Sequence, residues 1–413
     1  MGIAEEHVNI IIFAPVDFPD GPATTSRIKH IAKILDQAGN KVTIASLQAN
    51  TKIPYPNNTR TEGTVENIHF IYLNGTVVRP SNLVGALADT LRGCLGAFSY
   101  LLKMKRKQSA DLILFYTPDF FQVFHVLILA KLCRIPVVLE MCEMSSTMRL
   151  ESLRQRVRLI SAYLSDRILP KISSGIIVIS HPIKEWLLAG GLEGDKIFLL
   201  PILVDCRKFN EPSMAEVPLL AGKKYFLNSG GLVEKDGAKY LLDALALMGR
   251  KHEDVNLVFT GEPDSPRKQS IVDLAKKLGI EKQVIFTGFL PLDQLVWAYQ
   301  NAQALLCCRS NSPYANFGSP TKLSEYLSTG KPVITNDVGD NKIYLVKNKD
   351  AFFARVEDVE SIAEQMTLVL AEPAAAAKVG REGQKVAQER FHFERYVASL
   401  DAFLKGVCKA ARL

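Results

Sequence analysis

A chain of 413 residues, 47% hydrophobic and 23% charged, is too long for one ordinary core and implies two domains, each burying its own interior. A formal charge of +7 suits an anionic substrate, a membrane surface or an ordinary soluble protein; with no basic block or interleaved aromatics, no nucleic-acid partner is expected. Seven cysteines without a C-x-x-C pair or zinc spacing argue against a disulfide framework, and Cys307 and Cys308, adjacent in an apolar run, read as buried thiols of a reducing compartment.

The N-terminal MGIAEEHVNIIIFAP carries two glutamates before an apolar run of strand length, so neither a signal peptide nor an anchor is expected there. Glu6 stands where myristoylation needs Ser or Thr, and no apolar run has the length of a membrane span. A strand over 8–15 is followed by a helix over 25–39, then strands over 41–46 and 68–73. Next comes a long amphipathic segment with Leu83, Leu87, Leu91, Leu95, Phe98 and Leu102 on one stripe. Strands over 111–118, 135–141, 175–180 and 196–201 complete the first half. After a looser, proline-containing stretch (205–223) the pattern restarts, with strands over 224–232, 256–262, 283–291, 302–308 and 351–356. The helix–strand unit GSPTKLSEYLSTGKPVIT occupies 318–335 between the last two, and helices close the chain. Continuous apolar strands alternating with helices imply parallel sheets covered on both faces. The expected fold is α/β, two doubly wound Rossmann-like domains over 1–208 and 209–393 that face a cleft, with a C-terminal helix of 394–413 packing back on the first.

The turn after the first strand has one glycine where a dinucleotide site needs G-x-G-x-x-G, and no G-x-x-x-x-G-K-[ST] occurs, so any phosphate must be bound another way. The 318–335 unit offers one. Ser319 as a cap and Pro320 at the first helical position would leave free N–H groups, through Thr321, pointing at a diphosphate. Lys322 opposes the helix dipole unless an anion sits there, and Glu325 can accept two ribose hydroxyls; the plain alternative is a solvated Lys–Glu pair. In NSGGLVEKDGAKYLLDAL (228–245), Gly230 and Gly231 let backbone approach a ligand and Lys235 can meet a phosphate, or the segment is a turn with surface charges. TGFLP (287–291), with Gly288, Phe289 and Leu290, and TGEP (260–263), with Gly261, are strand-ending turns that can read a base edge; alone they are turns. In 19–35, Gly21 with Thr24, Thr25 and Ser26 forms a polar loop, and Arg27 opposes its own helix dipole as an anion ligand would require, with His30 a turn on; each is otherwise a surface residue. Glu140 and Glu143 follow a strand end and are candidates to orient or deprotonate an acceptor hydroxyl. The segments 101–108 and 148–171 are basic; the second sets Arg149, Arg154, Arg156, Arg158, Arg167 and Lys171 against Glu151 and Asp166, with Leu153, Val157, Ile160, Leu164 and Ile168 recurring helically. They suit peripheral contact with anionic lipid, or are helices with a solvated basic face.

Taken in order from about residue 8 to 400, GIIVISHPIKEWL before ILVDCRKF, SGGLVEKDGAKYLLDAL, LVFTGE, VIFTGFLP, SPTKLSEYLSTGKPVI and GQKVAQERFHFERY resemble the family-4 glycosyltransferases, which have the GT-B fold. The resemblance implies transfer of a sugar from a nucleotide-sugar to a glycan or lipid-linked acceptor hydroxyl, with retention and without a cofactor or metal. It places Glu325 on the ribose, Ser319–Thr321 near the diphosphate, Gly288–Leu290 near the base, Lys235 and Lys322 near phosphate charge, and Gly21 against the donor from the other domain. The sequence departs from the family where E-x7-E would put a second glutamate, since Phe317 stands there, and where G-R-L-x-x-x-K-G would put Arg at Gly231 and Lys at Asp236. It is similar to a branch of bacterial surface-polysaccharide assembly in which P-x-K-x-x-E replaces the full motif. A cytoplasmic enzyme, peripheral on the membrane, is the expected setting. A GT-B epimerase and a catalytically weak nucleotide-sugar-binding scaffold are the alternatives.

Overall fold

The computed structural model describes residues 7–52, 55–116, 119–147, 153–261 and 266–412. Outside them lie Thr117 and Pro118, Arg149 and Glu151 of the basic segment, and Glu262 and Pro263 of TGEP; the side chains of Arg154, Arg156 and Arg158 also lie outside. The chain divides into two compact units, Met1–Pro201 with Phe393–Leu413, and Ile202–His392. It passes to the second at Ile202 because Val204 N–H donates to the Phe391 carbonyl and Cys206 N–H to His392 Nδ1.

Among the described residues the first unit holds eight strands: β1 Asn9–Ala14, β2 Lys41–Ser46, β3 Glu62–Val65, β4 Ile68–Tyr72, β5 Leu112–Tyr116, β6 Val137–Met141, β7 Gly175–Val178 and β8 Ile197–Leu199. They lie in the order β3-β4-β2-β1-β5-β6-β7-β8, parallel except for β3, which pairs antiparallel with β4. Every residue of β6 and β7 is buried, as sheet strands covered on both faces must be. Helix α1 (Ala23–Gln37) buries Ile28, Ile31, Ile34 and Leu35 at helical spacing. The C-terminal helix Val397–Arg412 packs on α1, and Asn40 Nδ2 donates to Asp401 Oδ1 at 2.7 Å.

Helix α2 (Leu83–Arg106) reverses the usual arrangement: Asp89, Gly93, Ala97 and Leu101 are buried, while Leu83, Leu87, Leu91, Leu95 and Phe98 are exposed. It packs against α3 (Phe120–Leu132), which starts where the Asp119 carboxylate accepts from Phe121 N–H and Gln122 N–H. α3 in turn packs against α4 (Leu153–Arg167).

Among its described residues the second unit holds six parallel strands: β9 Lys224–Gly230, β10 Val255–Gly261, β11 Val284–Gly288, β12 Ala304–Cys307, β13 Val333–Asn336 and β14 Phe352–Ala354. Their order, β11-β10-β9-β12-β13-β14, puts the reversal of winding between β9 and β12. Ligands of such sheets bind outside the carboxyl ends of the strands beside that reversal. Three helices border this end: α5 (Ala238–Met248), α6 (Leu292–Asn301) and α7 (Thr321–Ser328). Leu241 and Leu245 of α5 join Phe226, Leu257 and Ile334 in the core. All seven cysteines are free, and Cys307 and Cys308 are buried.

Candidate functional site

Three neighbouring strands of the second unit, β11, β10 and β9, each end on a glycine in the left-handed region: Gly288 (φ 69°), Gly261 (φ 103°) and Gly230 (φ 101°). At Gly230 a side chain would enter open space, so its lack of one serves the backbone turn and leaves a bare shelf. Gly231 follows, half-buried. Beyond Gly288, Phe289 is 70% exposed and Leu290 buried. The Lys235 ammonium lies 4.1 Å from the centre of the Tyr314 ring, and its carbonyl accepts from Ser310 N–H at 3.0 Å.

Helix α7 starts at Thr321, with Pro320 at its cap and no side-chain cap bond, so Ser319 does not cap it and Pro320 is not its first helical residue. The reason is local: Pro320 is itself extended (φ −78°, ψ 118°), so the helix begins one residue later and the cap position falls on a side chain with no acceptor. Lys322 and Glu325 are not a solvated pair. Lys322 Nζ donates to the Ser229 carbonyl at 3.1 Å and lies 3.7 Å from Asp236 Oδ1. Glu325 Oε2 is 3.4 Å from the Tyr299 hydroxyl, itself 2.7 Å from Ser229 Oγ. Ser229 N–H donates to the Tyr326 hydroxyl at 2.7 Å, and the Tyr299 and Tyr326 rings meet edge to face. Burial pushes the Glu325 carboxyl from 4.5 up to about 7, against the opposing pull of the Tyr299 hydroxyl and the Lys322 charge.

Sequence reasoning missed Ser229, Tyr299 and Tyr326, which fix the carboxylate, and Arg309, whose buried Nη1 holds the Ala315 and Gly318 carbonyls ahead of α7 at 2.6 and 2.8 Å. Ser229 stood inside the quoted glycine turn, and Tyr326 stands beside Glu325. Tyr299 and Arg309 carried no local signal.

In the first unit, Arg27 is not presented to an anion. Its side chain is 6% exposed; Nε donates to Glu140 Oε1 at 2.6 Å, Nη1 to the Pro201 carbonyl and Nη2 to the Leu200 carbonyl. The dipole argument presumed an exposed first turn, whereas α1 turns this face inward. Gly21 has an internal reason too: a side chain there would strike Thr25, whose hydroxyl donates to the Asp17 carbonyl at 2.7 Å. His30 stacks on Phe393. Glu140 is fully buried and accepts from Arg27 and from Cys142 Sγ through Oε1, while Oε2 has no protein partner. Glu140 lines a pocket whose walls are more apolar than polar, with Leu139, Met141 and Leu169 beside Tyr116, Cys142, Glu143, Ser145, Ser165 and Asp166, and in which Ser165 Oγ is also unpartnered. Such a pocket can accept and donate hydrogen bonds to hydroxyls, and burial raises both Tyr116 and Asp166 above their ordinary values.

Known proteins resemble this chain in both sequence and fold. The family model described as glycosyl transferases group 1 matches residues 210–386, within the second unit. The chain is 27% identical over 202 residues to the alpha-1,3/1,6-mannosyltransferase ALG2 of Dictyostelium discoideum, which covers 45% of this chain and 46% of that one. It spans about half the length of the curated relatives it matches. In structure it is similar to the sucrose-phosphate synthase of Thermosynechococcus elongatus (TM-score 0.74, 14% identity, 98% of this chain and 100% of that one). It is likewise similar to Anabaena HepE in complex with UDP-glucose (TM-score 0.70, 15% identity, 96% and 100%). The fold is GT-B, with two Rossmann-like parallel-sheet α/β domains.

Proposed function

We propose that the protein is a nucleotide-sugar-dependent glycosyltransferase that moves a hexose to an acceptor hydroxyl with retention, in polysaccharide or lipid-linked glycan assembly. The observation that carries this reading is the way Glu325 is held: a carboxyl pushed to about 7, braced by Tyr299, with Lys322 one turn before it at the carboxyl edge of a parallel sheet. A carboxylate kept at such a cost is explained by a ligand that donates to it, and a ribose diol does so twice. The match of residues 210–386 to the group 1 glycosyltransferases supports the same reading.

In this proposal the base rests on the Gly288–Leu290 turn, and the diphosphate lies over the Ser319–Thr321 backbone, the shelf at Gly230–Gly231 and the turn at Gly261. The Lys322 and Lys235 charges stabilise the leaving diphosphate, the role a bound metal would otherwise fill. The bond from the anomeric carbon to the phosphate oxygen breaks as the bond to the acceptor oxygen forms on the same face, and the acceptor proton leaves with the diphosphate. The unpartnered Glu140 Oε2, with Glu143 beside it, suits the hydroxyls of a glycan acceptor. A cytoplasmic setting fits seven free cysteines.

The test is a thermal-shift screen of UDP-, GDP- and ADP-hexoses followed by donor hydrolysis. One nucleotide class should raise the midpoint by mass action. Glu325→Gln should abolish that rise and donor hydrolysis while leaving the unliganded fold intact. Retained nucleotide-sugar binding in Glu325→Gln would sink the assignment.

A further inference from the structure

The exposed stripe of α2 is the largest feature of the first unit that the sugar-transfer reading leaves unexplained. Leu87 (64% exposed), Leu91 (56%), Leu95 (69%) and Phe98 (46%) follow one another at helical spacing. On the adjoining α3, Phe121 (58%) and Leu132 (77%) extend the apolar surface. Contiguous exposure of this kind is rare on a monomer and marks a surface that meets something apolar. From Leu83 to Phe98 the stripe runs about 22 Å along the axis, too short to cross a bilayer but suited to lying in its plane. No described helix is long and apolar enough to cross a membrane.

Charge selects the occupant. Lys103, Lys105 and Arg106 lie in the last turn of α2 and Lys107 follows it; Lys131 lies in the last turn of α3 and Arg134 just past its end, all exposed, and Lys105 and Arg134 line the same hollow as Arg412 and Asp111. Among the described residues none of these six forms an ion pair with a carboxylate. Asp89 of α2 is buried against Asn74 and Asp119 caps α3, while Asp111, in that hollow, accepts from Asn9 N–H and Nδ2 and lies 3.7 Å from Arg412. A two-fold contact between copies would bring two basic rims together, whereas an anionic headgroup layer complements both the rim and the stripe.

We propose that the α2–α3 face docks on an anionic lipid bilayer, with the α2 leucines and Phe98 entering the interface and the cationic helix ends meeting the headgroups. This moves the membrane contact expected of segments 101–108 and 148–171 onto an apolar face that begins at Leu83, with 101–108 as its charged border. The inference stands without the sugar-transfer reading, and its test uses no nucleotide.

The full chain is floated with phosphatidylcholine vesicles containing phosphatidylglycerol and with phosphatidylcholine alone. It should float with the first and largely fail to float with the second. Leu87→Ser/Leu91→Ser/Leu95→Ser should lower partition by roughly tenfold or more. Lys103→Gln/Lys105→Gln/Arg106→Gln should lower it by about fivefold per cation, an effect that added salt mimics in the parent. Because these side chains are exposed, both variants should keep the parent's melting midpoint. Failure of the parent to float, or flotation of the leucine variant equal to the parent, overturns the proposal. So does a parent that is dimeric by light scattering, becomes monomeric with the leucine substitutions and ignores vesicles, because the face then belongs to a second copy.

Discussion

The raised carboxyl of Glu325 makes a prediction about stability whose sign is fixed by linkage. In the folded chain the group titrates at about 7, against 4.5 in an unperturbed chain, so the native state holds the proton more tightly. Between those values the folded state binds more protons than the unfolded, and stability falls as pH rises, reaching its full penalty above 7. The gap between about 7 and 4.5 corresponds to about 3 kcal/mol, an upper value because the side chain is only partly covered and water screens it. Glu325→Gln keeps the shape and stays neutral at every pH. It should match the parent near pH 4.5 and exceed it at pH 8 by up to roughly 6–12 °C in midpoint for a unit of this size. The assay is paired thermal or urea unfolding across that window, in which the difference between the two chains cancels every other titrating group. A ribose diol should act in the opposite sense: it favours the ionised form, so nucleotide affinity in the parent falls by up to about tenfold per pH unit below 7. A gap between variant and parent that does not change from pH 5 to pH 8 would refute the reasoning, because the carboxyl would then be solvated.

Arg27→Met should cost about 3–5 kcal/mol in urea unfolding, since it leaves the fully buried Glu140 without its guanidinium. Gly230→Ala should lose roughly 1–2 kcal/mol through its φ of 101° alone, there being open space for the methyl group, and should weaken nucleotide binding measured by calorimetry. If the lysine charges and the α7 N-terminus serve the diphosphate, transfer should survive excess EDTA, and a chelator-sensitive rate restored by a divalent cation would overturn that part of the proposal.

Much of the second unit was legible because its signals are local. Strands that are apolar end to end declare themselves, and glycines at 230, 261 and 288 each mark where a strand must turn sharply. Lys322 and Glu325 stood out because a cation in a first helical turn needs a reason. Illegible were features made by distant partners. Tyr299 reaches Ser229 and Glu325 from another helix, and Arg27 meets Glu140 across 113 positions, which converts an expected anion ligand into a buried brace. β3 was hidden for a different reason: as an edge strand with alternating exposure it carries Glu62, Gly63 and Thr64, and lacks the buried run by which its neighbours were recognised. Ser319 misled because capping motifs are read from residue type: Ser312, also followed by proline, does cap its helix, whereas at Ser319 the extended backbone of Pro320 shifts the start one residue on.

Helix α2 exposes a deeper limit, because periodicity reveals that a helix has two faces without saying which one the fold wants. Here the glycines decide. A side chain at Gly93 would run into the Leu47 carbonyl oxygen, and one at Gly96 into the Leu73 carbonyl oxygen, so α2 lies against backbone along its small-residue edge and cannot also bury its leucines. Helix propensity alone predicts that Gly93→Ala stabilises by up to about 1 kcal/mol. Close packing predicts the reverse, a net loss of roughly 1–3 kcal/mol, because a backbone carbonyl cannot swing aside as a flexible side chain can. Gly406, exposed within the C-terminal helix with nothing within 4 Å of the place a methyl group would take, supplies the control: Gly406→Ala should gain what propensity promises. Urea unfolding of the two variants should therefore give changes of opposite sign. If Gly93→Ala stabilises as Gly406→Ala does, α2 is not seated by its glycine edge, and the outward aim of Leu87, Leu91 and Leu95 loses its physical cause.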